Sequence, residues 1–167
     1  IGLVDDINQC VTMDTKQPGN LIFAVGLTKN ELGGSHYYKV NGELGANVPK
    51  TDIKMAAEIA RRVHKAIAAG LVRSCHDCSE GGLAVALAEM AFAGGYGIEA
   101  DLRGLPVSDV CIKTDSLLFS ESNSRYLIEV EPQNYDAFAK LMLDVPFGQV
   151  GEVIKDEKLL IRNAGQK

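Results

Sequence analysis

The densest run of reactive side chains in the chain is Ser74-Cys75-His76-Asp77-Cys78-Ser79-Glu80-Gly81-Gly82-Leu83. It lies between a run that reads as a strand and one that reads as the start of a helix. A helix start offers free backbone N–H groups and a partial positive charge, which suits an anion such as phosphate. Gly81 and Gly82 would let a ligand approach the backbone closely. Asp77 could bind a metal ion or a hydroxyl, and His76 could contact a phosphate or act as an acid or base. A plainer reading stands beside this one: Ser79 or Asp77 caps the helix, and the glycines allow tight packing.

Other reactive residues carry less. Cys75-x-x-Cys78 has the spacing of a redox pair or half a zinc site. A structural zinc needs four ligands, however, and no second such pair exists; Cys10, Cys111 and His64 are scattered. Small residues beside a helix start are the favoured reading, and no metal ligand is assigned. Glu89 is expected to pair with a base or reach an edge, and Asp101 with Arg103 to form a local ion pair. Arg61, Arg62 and Lys65 form the one basic cluster, read as a solvated helix face. His36 and Tyr37, in a glycine-rich loop, are further ligand-contact candidates.

The elements around these residues follow from periodicity. Leu21-Ile22-Phe23-Ala24-Val25-Gly26-Leu27 reads as a buried strand. Residues 29–50 hold Gly33, Gly34, Gly42 and Gly45 and read as a long loop with a short helix over 35–39; loops of that length are usually functional or mobile. Apolar residues at Ile53, Ala56, Ala57, Ala60, Val63 and Ile67 fit one face of a helix over 51–69, capped by Thr51 and ended by Gly70. A strand over 71–75 leads into the reactive run. The helix over 83–92 is apolar nearly all round and is expected to be well buried; Gly94-Gly95 stops it. Further strands are expected over 96–102, 126–131, 148–153 and 159–162. A helix opened by Pro132 and Gln133 is expected over 135–143, and a loose tail over 163–167. Several strands are joined without helical crossovers, so an α+β sandwich with a mixed sheet is favoured over a doubly wound parallel sheet.

The chain has 167 residues, 46% of them hydrophobic and 23% charged, which fits one domain with a sizeable core. The net charge of -5 argues against nucleic acid as the main partner. No apolar run approaches the ~20 residues of a membrane helix, and the start lacks the pattern of a signal peptide. The cytoplasm is the default compartment. The four cysteines are expected to be reduced thiols. The chain begins at Ile1 without an initiator Met, so it is expected to be one domain, 1–167, of a longer protein.

Three segments carry a resemblance. Residues 76–91, His-Asp-Cys-Ser-Glu-Gly-Gly-Leu-Ala-Val-Ala-Leu-Ala-Glu-Met-Ala, resemble the histidine-aspartate-x-serine-aspartate/glutamate-glycine-glycine-leucine segment of the phosphoribosylformylglycinamidine synthase family. Glu31-Leu32-Gly33-Gly34-Ser35-His36-Tyr37 resembles its leucine-glycine-glycine-serine-x-tyrosine loop. Leu118-Phe119-Ser120-Glu121-Ser122-Asn123-Ser124-Arg125 resembles its phenylalanine-serine-glutamate-serine segment. The matches occur in the family's order and span about residues 20 to 130.

The resemblance implies the C-terminal domain of the aminoimidazole ribonucleotide synthetase type, a three-layer α/β/α sandwich. It implies a carbon–nitrogen ligase of purine biosynthesis that converts formylglycinamide ribonucleotide, ATP and ammonia to the amidine. ATP and Mg2+ would serve the full-length enzyme and bind mostly to N-terminal domains of the same chain. A glutaminase and a small accessory subunit are implied partners. The forms at 76–77 and 120–124 look like the second of two C-terminal copies, with Asn123 where the first copy has a substrate-holding glutamine. That places the domain at the other, non-catalytic cleft, which in larger members can hold a structural nucleotide. The candidate phosphate or nucleotide ligands are then His76, Asp77, Ser79, Glu80, Gly81, Gly82, Gly33, Gly34, Ser35, Ser120, Glu121, Ser122 and Asn123, with no catalytic residue. The domain alone is expected to be inactive, and its apolar surface to favour self-association. The alternatives are the equivalent domain of selenophosphate synthetase, thiamine-monophosphate kinase or a hydrogenase maturation protein, or a purely structural interaction domain.

Overall fold

In β1 (Leu21–Val25), Ile22 and Ala24 face one hydrophobic core while Phe23 and Val25 face another. A strand covered on both faces needs apolar residues at every position, which is why this run reads as continuous rather than alternating. The other strands are β2 (Ser74–Asp77), β3 (Gly97–Asp101), β4 (Tyr126–Val130), β5 (Phe147–Ile154) and β6 (Leu159–Arg162). They form one sheet in the order β2-β4-β1-β5-β3-β6. All neighbours are antiparallel except β3 and β6, so the sheet is mixed, as expected. This computed structural model describes residues 3, 4, 6–108 and 113–163. The expectations placed on Cys111 and on a loose tail beyond Asn163 lie outside the described residues. Asn163 itself donates to Thr114 Oγ1 at 2.9 Å.

Two helical layers cover the sheet. On one face, α2 (Ile53–Ala68) contributes Ile59, Val63 and Ala66, and α5 (Tyr135–Met142) contributes Phe138 and Met142, against Phe23, Ile128 and Val130. On the other, α3 (Gly82–Gly94) contributes Leu83, Leu87 and Met90, and α4 (Thr114–Phe119) contributes Leu117, against Ile22, Leu127 and Val150. The short α1 (His36–Val40) lies within the 29–50 loop. The result is the expected three-layer α/β/α sandwich.

Local differences from the sequence reading have physical causes. Asp52, not Thr51, caps α2: its carboxylate accepts from the amides of Lys54 at 3.0 Å and Met55 at 3.1 Å. A charged acceptor also complements the positive end of the helix. Thr51 instead accepts a hydrogen bond from Asn123. β2 starts at Ser74 rather than Leu71, because the Leu71 amide still bonds back to Ala66 in α2. α3 buries only one face: Val85 is exposed and Phe92 is 73% exposed, since the sheet reaches one side of the helix alone. α4 is an element the apolar pattern does not reveal.

A buried carboxylate ties the chain before β1 to the sheet. Glu129 in β4 has no exposed surface. It accepts from the amides of Lys16 and Gln17, from Asn20 Nδ2 at 2.7 Å and from the Ser74 hydroxyl at 2.9 Å. These donors compensate the loss of water that burial imposes on the group.

Candidate functional site

β2 and β4 are antiparallel neighbours with Asp77 opposite Tyr126. The turn that leaves β2 therefore meets the turn that enters β4, and residues 77–82 lie beside 120–125. The Cys78 amide donates to the Arg125 carbonyl at 3.0 Å and fixes the two turns together. The third segment, 29–36, is laced to the second. The Ser120 hydroxyl donates to the Lys29 carbonyl and accepts from the Glu31 amide, and the Ser122 hydroxyl accepts from the Lys29 amide. Both serines are buried, so they brace a loop and have no face open to a ligand.

Between these turns lies a groove of about 480 Å3, lined by residues 77–80, Glu121, residues 123–126 and Pro49. Asp77 and Ser79 line it, the Asp77 side chain being 66% exposed. Glu80, Glu121, Asn123, Ser124, Arg125 and Tyr126 add further polar groups. His76 faces elsewhere. Its Nε2 lies 2.8 Å from Glu89 Oε2 of α3, so it pins the strand to the helix, as expected for Glu89. Asp101 and Arg103 also form the expected local pair, which holds the Asp101 carboxyl down at about 2.

The glycines have internal duties. Gly82 has φ +66, and a Cβ there would come within 2.5 Å of the Ser120 carbonyl. Its close approach is to the chain's own 118–120 backbone. Gly81 has φ +78 and forms the left-handed cap of α3. The Gly33 and Gly34 amides donate to the Asn47 and Leu44 carbonyls and close the long loop. Ser35 caps α1 by accepting from the Tyr38 amide.

The Gly81 and Gly82 amides at the start of α3 have acceptors within the protein. Gly82 N–H donates to the Ser79 carbonyl. Gly81 N–H donates to Glu121 Oε1 at 2.9 Å, and the same oxygen accepts from the His36 amide at 2.9 Å. The His36 ring stands 3.4 Å from that oxygen. The chain thus supplies its own anion at the positive end of the helix.

Arg125 is the organising residue that motif reading passes over. It is 3% exposed; Nε donates to the Ser122 carbonyl, Nη1 to Thr28 Oγ1 and Nη2 to the Ser120 carbonyl. Burial pulls its pKa down, while Cys78, Glu31 and Glu121 pull it up. A cation placed directly before an apolar strand is the sequence signal that could have marked it. Burial also pushes the thiol of Cys75 up to about 12 and that of Cys78 to about 11, so neither is a thiolate near neutrality. Among the described residues no group of three or more His, Cys, Asp or Glu side chains is arranged to hold a metal ion. Nor is any described helix long and apolar enough to cross a membrane.

A family model described as AIR synthase related protein, C-terminal domain, matches residues 17–162. The phosphoribosylformylglycinamidine synthase subunit PurL of Alkaliphilus metalliredigens is 35% identical over 160 residues, which cover 94% of this chain and 21% of that protein. The chain thus spans about a fifth of that relative's length. Among solved structures, Thermotoga maritima PurL complexed with FGAR aligns with a TM-score of 0.84 at 19% identity, over 95% of this chain and 28% of that one. PurLQS from Thermotoga maritima aligns with a TM-score of 0.81 at 20% identity, over 96% and 26%. At those identities the two structures establish the shared fold.

Proposed function

The chain belongs to the AIR synthase related protein, C-terminal domain family, and from that premise we propose that it serves as this domain in a phosphoribosylformylglycinamidine synthase. The full-length protein would convert formylglycinamide ribonucleotide, ATP and ammonia to the amidine, ADP and phosphate. Mg2+ would be held mostly by the N-terminal domains of the full-length protein. N-terminal domains of the same polypeptide, a glutaminase and a small accessory subunit are the proposed partners, and the cytoplasm the proposed compartment. The observation that carries the reading is the meeting of residues 77–80 and 121–126 at one groove, with the 31–36 loop tied beside it through Glu121, in a chain that is 35% identical to a PurL subunit over 94% of its own length.

The groove is proposed to take the polar part of a nucleotide or ribonucleotide. Its lining carries the carboxylates of Asp77, Glu80 and Glu121, and each nitrogen of its one guanidinium, Arg125, already donates to the protein. Carboxylates accept hydrogen bonds from sugar hydroxyls and repel phosphates. The sugar end therefore suits this groove better than the phosphate end, which would have to compete with Glu121 for the Gly81 amide. Amidine formation, with one ADP released per product, by the full-length protein given ribonucleotide, ATP and ammonia is the expected result. Phosphorylation of a substrate without amidine would instead identify a kinase-type relative.

A further inference from the structure

We propose that Glu121 is a positioning residue, a staple that sets the groove's shape before a ligand arrives. This rests on the reading of the groove given above. A single oxygen, Oε1, accepts from the amide of Gly81, 40 residues away along the chain, and from that of His36, 85 residues away. The first contact holds the left-handed turn that opens α3. The second holds the first turn of α1, directly after the Gly-Gly-Ser stretch. The two segments thus depend on one atom for their mutual placement, and that atom belongs to the third segment.

Charge explains the residue type. The first turn of the 13-residue α3 carries a partial positive charge and has no side-chain cap of its own, so an anion there is favoured. An ionised acceptor also makes stronger hydrogen bonds than a neutral one. The side chain is only 18% exposed, so water competes weakly for the same oxygen. Other contacts keep the loop attached when the carboxylate is removed. Glu31 N–H still reaches Ser120 Oγ, and Ser116 Oγ still reaches Asn30 Oδ1. Loss of Glu121 should therefore loosen the geometry and leave the fold standing.

The test compares Glu121→Ala and Glu121→Gln with the wild type in the full-length protein. Without ligand, amide hydrogen exchange in peptides covering 33–38 and 79–83 should rise together, about tenfold or more, in Glu121→Ala. It should return towards wild type in Glu121→Gln, whose amide oxygen can still accept both bonds. With ADP or formylglycinamide ribonucleotide added, any slowing of exchange over 77–82 seen in the wild type should be weakened in Glu121→Ala and recovered in Glu121→Gln. Exchange that rises in neither segment, or in one alone, overturns the staple. So does ligand-dependent slowing that survives in Glu121→Ala. If neither ligand slows exchange in the wild type, the groove reading fails, and the staple is then decided by the ligand-free comparison alone.

Discussion

Glu129 shows how one side chain can decide the placement of a whole segment. Four groups donate to its carboxylate, and none is a charged side chain. Glu129→Ala would leave the Asn20 and Ser74 donors buried without an acceptor, at a cost on the order of 3 kcal/mol. Urea unfolding would show this as a lower midpoint. Glu129→Gln should also destabilise, because its NH2 group would face donors. The cysteines make a second prediction at this scale. Cys10 is exposed, whereas Cys75 and Cys78 are held as thiols by burial. A limiting alkylating reagent at pH 8 should modify Cys10 before Cys75 and Cys78. Peptide mapping over time would check the order. The pH dependence follows in sign. An unfolded Cys75 ionises near its ordinary value of 9, while the folded one holds its proton to about 12. Raised folded values stabilise the protein fully below pH 9, and that contribution is lost progressively as the pH rises from 9 towards 12.

At the scale of elements, the sequence made the helices and central strands legible where the apolar period was long. The continuous β1 run is an example; α2 was legible as a helix, but the face it buries is Ile59, Val63 and Ala66, while Ile53, Ala57 and Ala60 of the expected face are exposed. The ends of these elements were less legible, because they depend on which group satisfies the last amides. Asp52→Ala should cost about 1 kcal/mol as a lost cap, and Thr51→Ala clearly less, measured by thermal or urea unfolding. α4 was hidden because six residues provide too little periodicity and only Ser116 and Leu117 are buried. The Gly81-Gly82 pair was visible as a special turn, yet its neighbour was not. Only the pairing of β2 with β4 reveals that Gly82 abuts the Ser120 carbonyl and that Gly81 meets Glu121. Gly82→Ala should therefore destabilise through both its positive φ and the clash with that carbonyl. It should also disturb residues 118–122 at a distance in sequence, visible as faster amide exchange there.

For the whole molecule, the order of elements was enough to indicate an α+β sandwich with a mixed sheet, and the family resemblance implied the two helical layers. The three motifs could be recognised singly, but their convergence was not readable from spacing. It arises because β4 pairs with both β2 and β1, which gathers the ends of distant loops at one edge region of the sheet. The Arg125 guanidinium and the Ser120 and Ser122 hydroxyls then hold that gathering together. The central claim is that this convergence forms a ligand groove. Hydrogen exchange on the full-length protein, with and without saturating ADP or formylglycinamide ribonucleotide, tests it most directly. Slower exchange over both 77–82 and 120–125 with at least one of these ligands is the predicted result, and unchanged exchange in both segments with either ligand would contradict it.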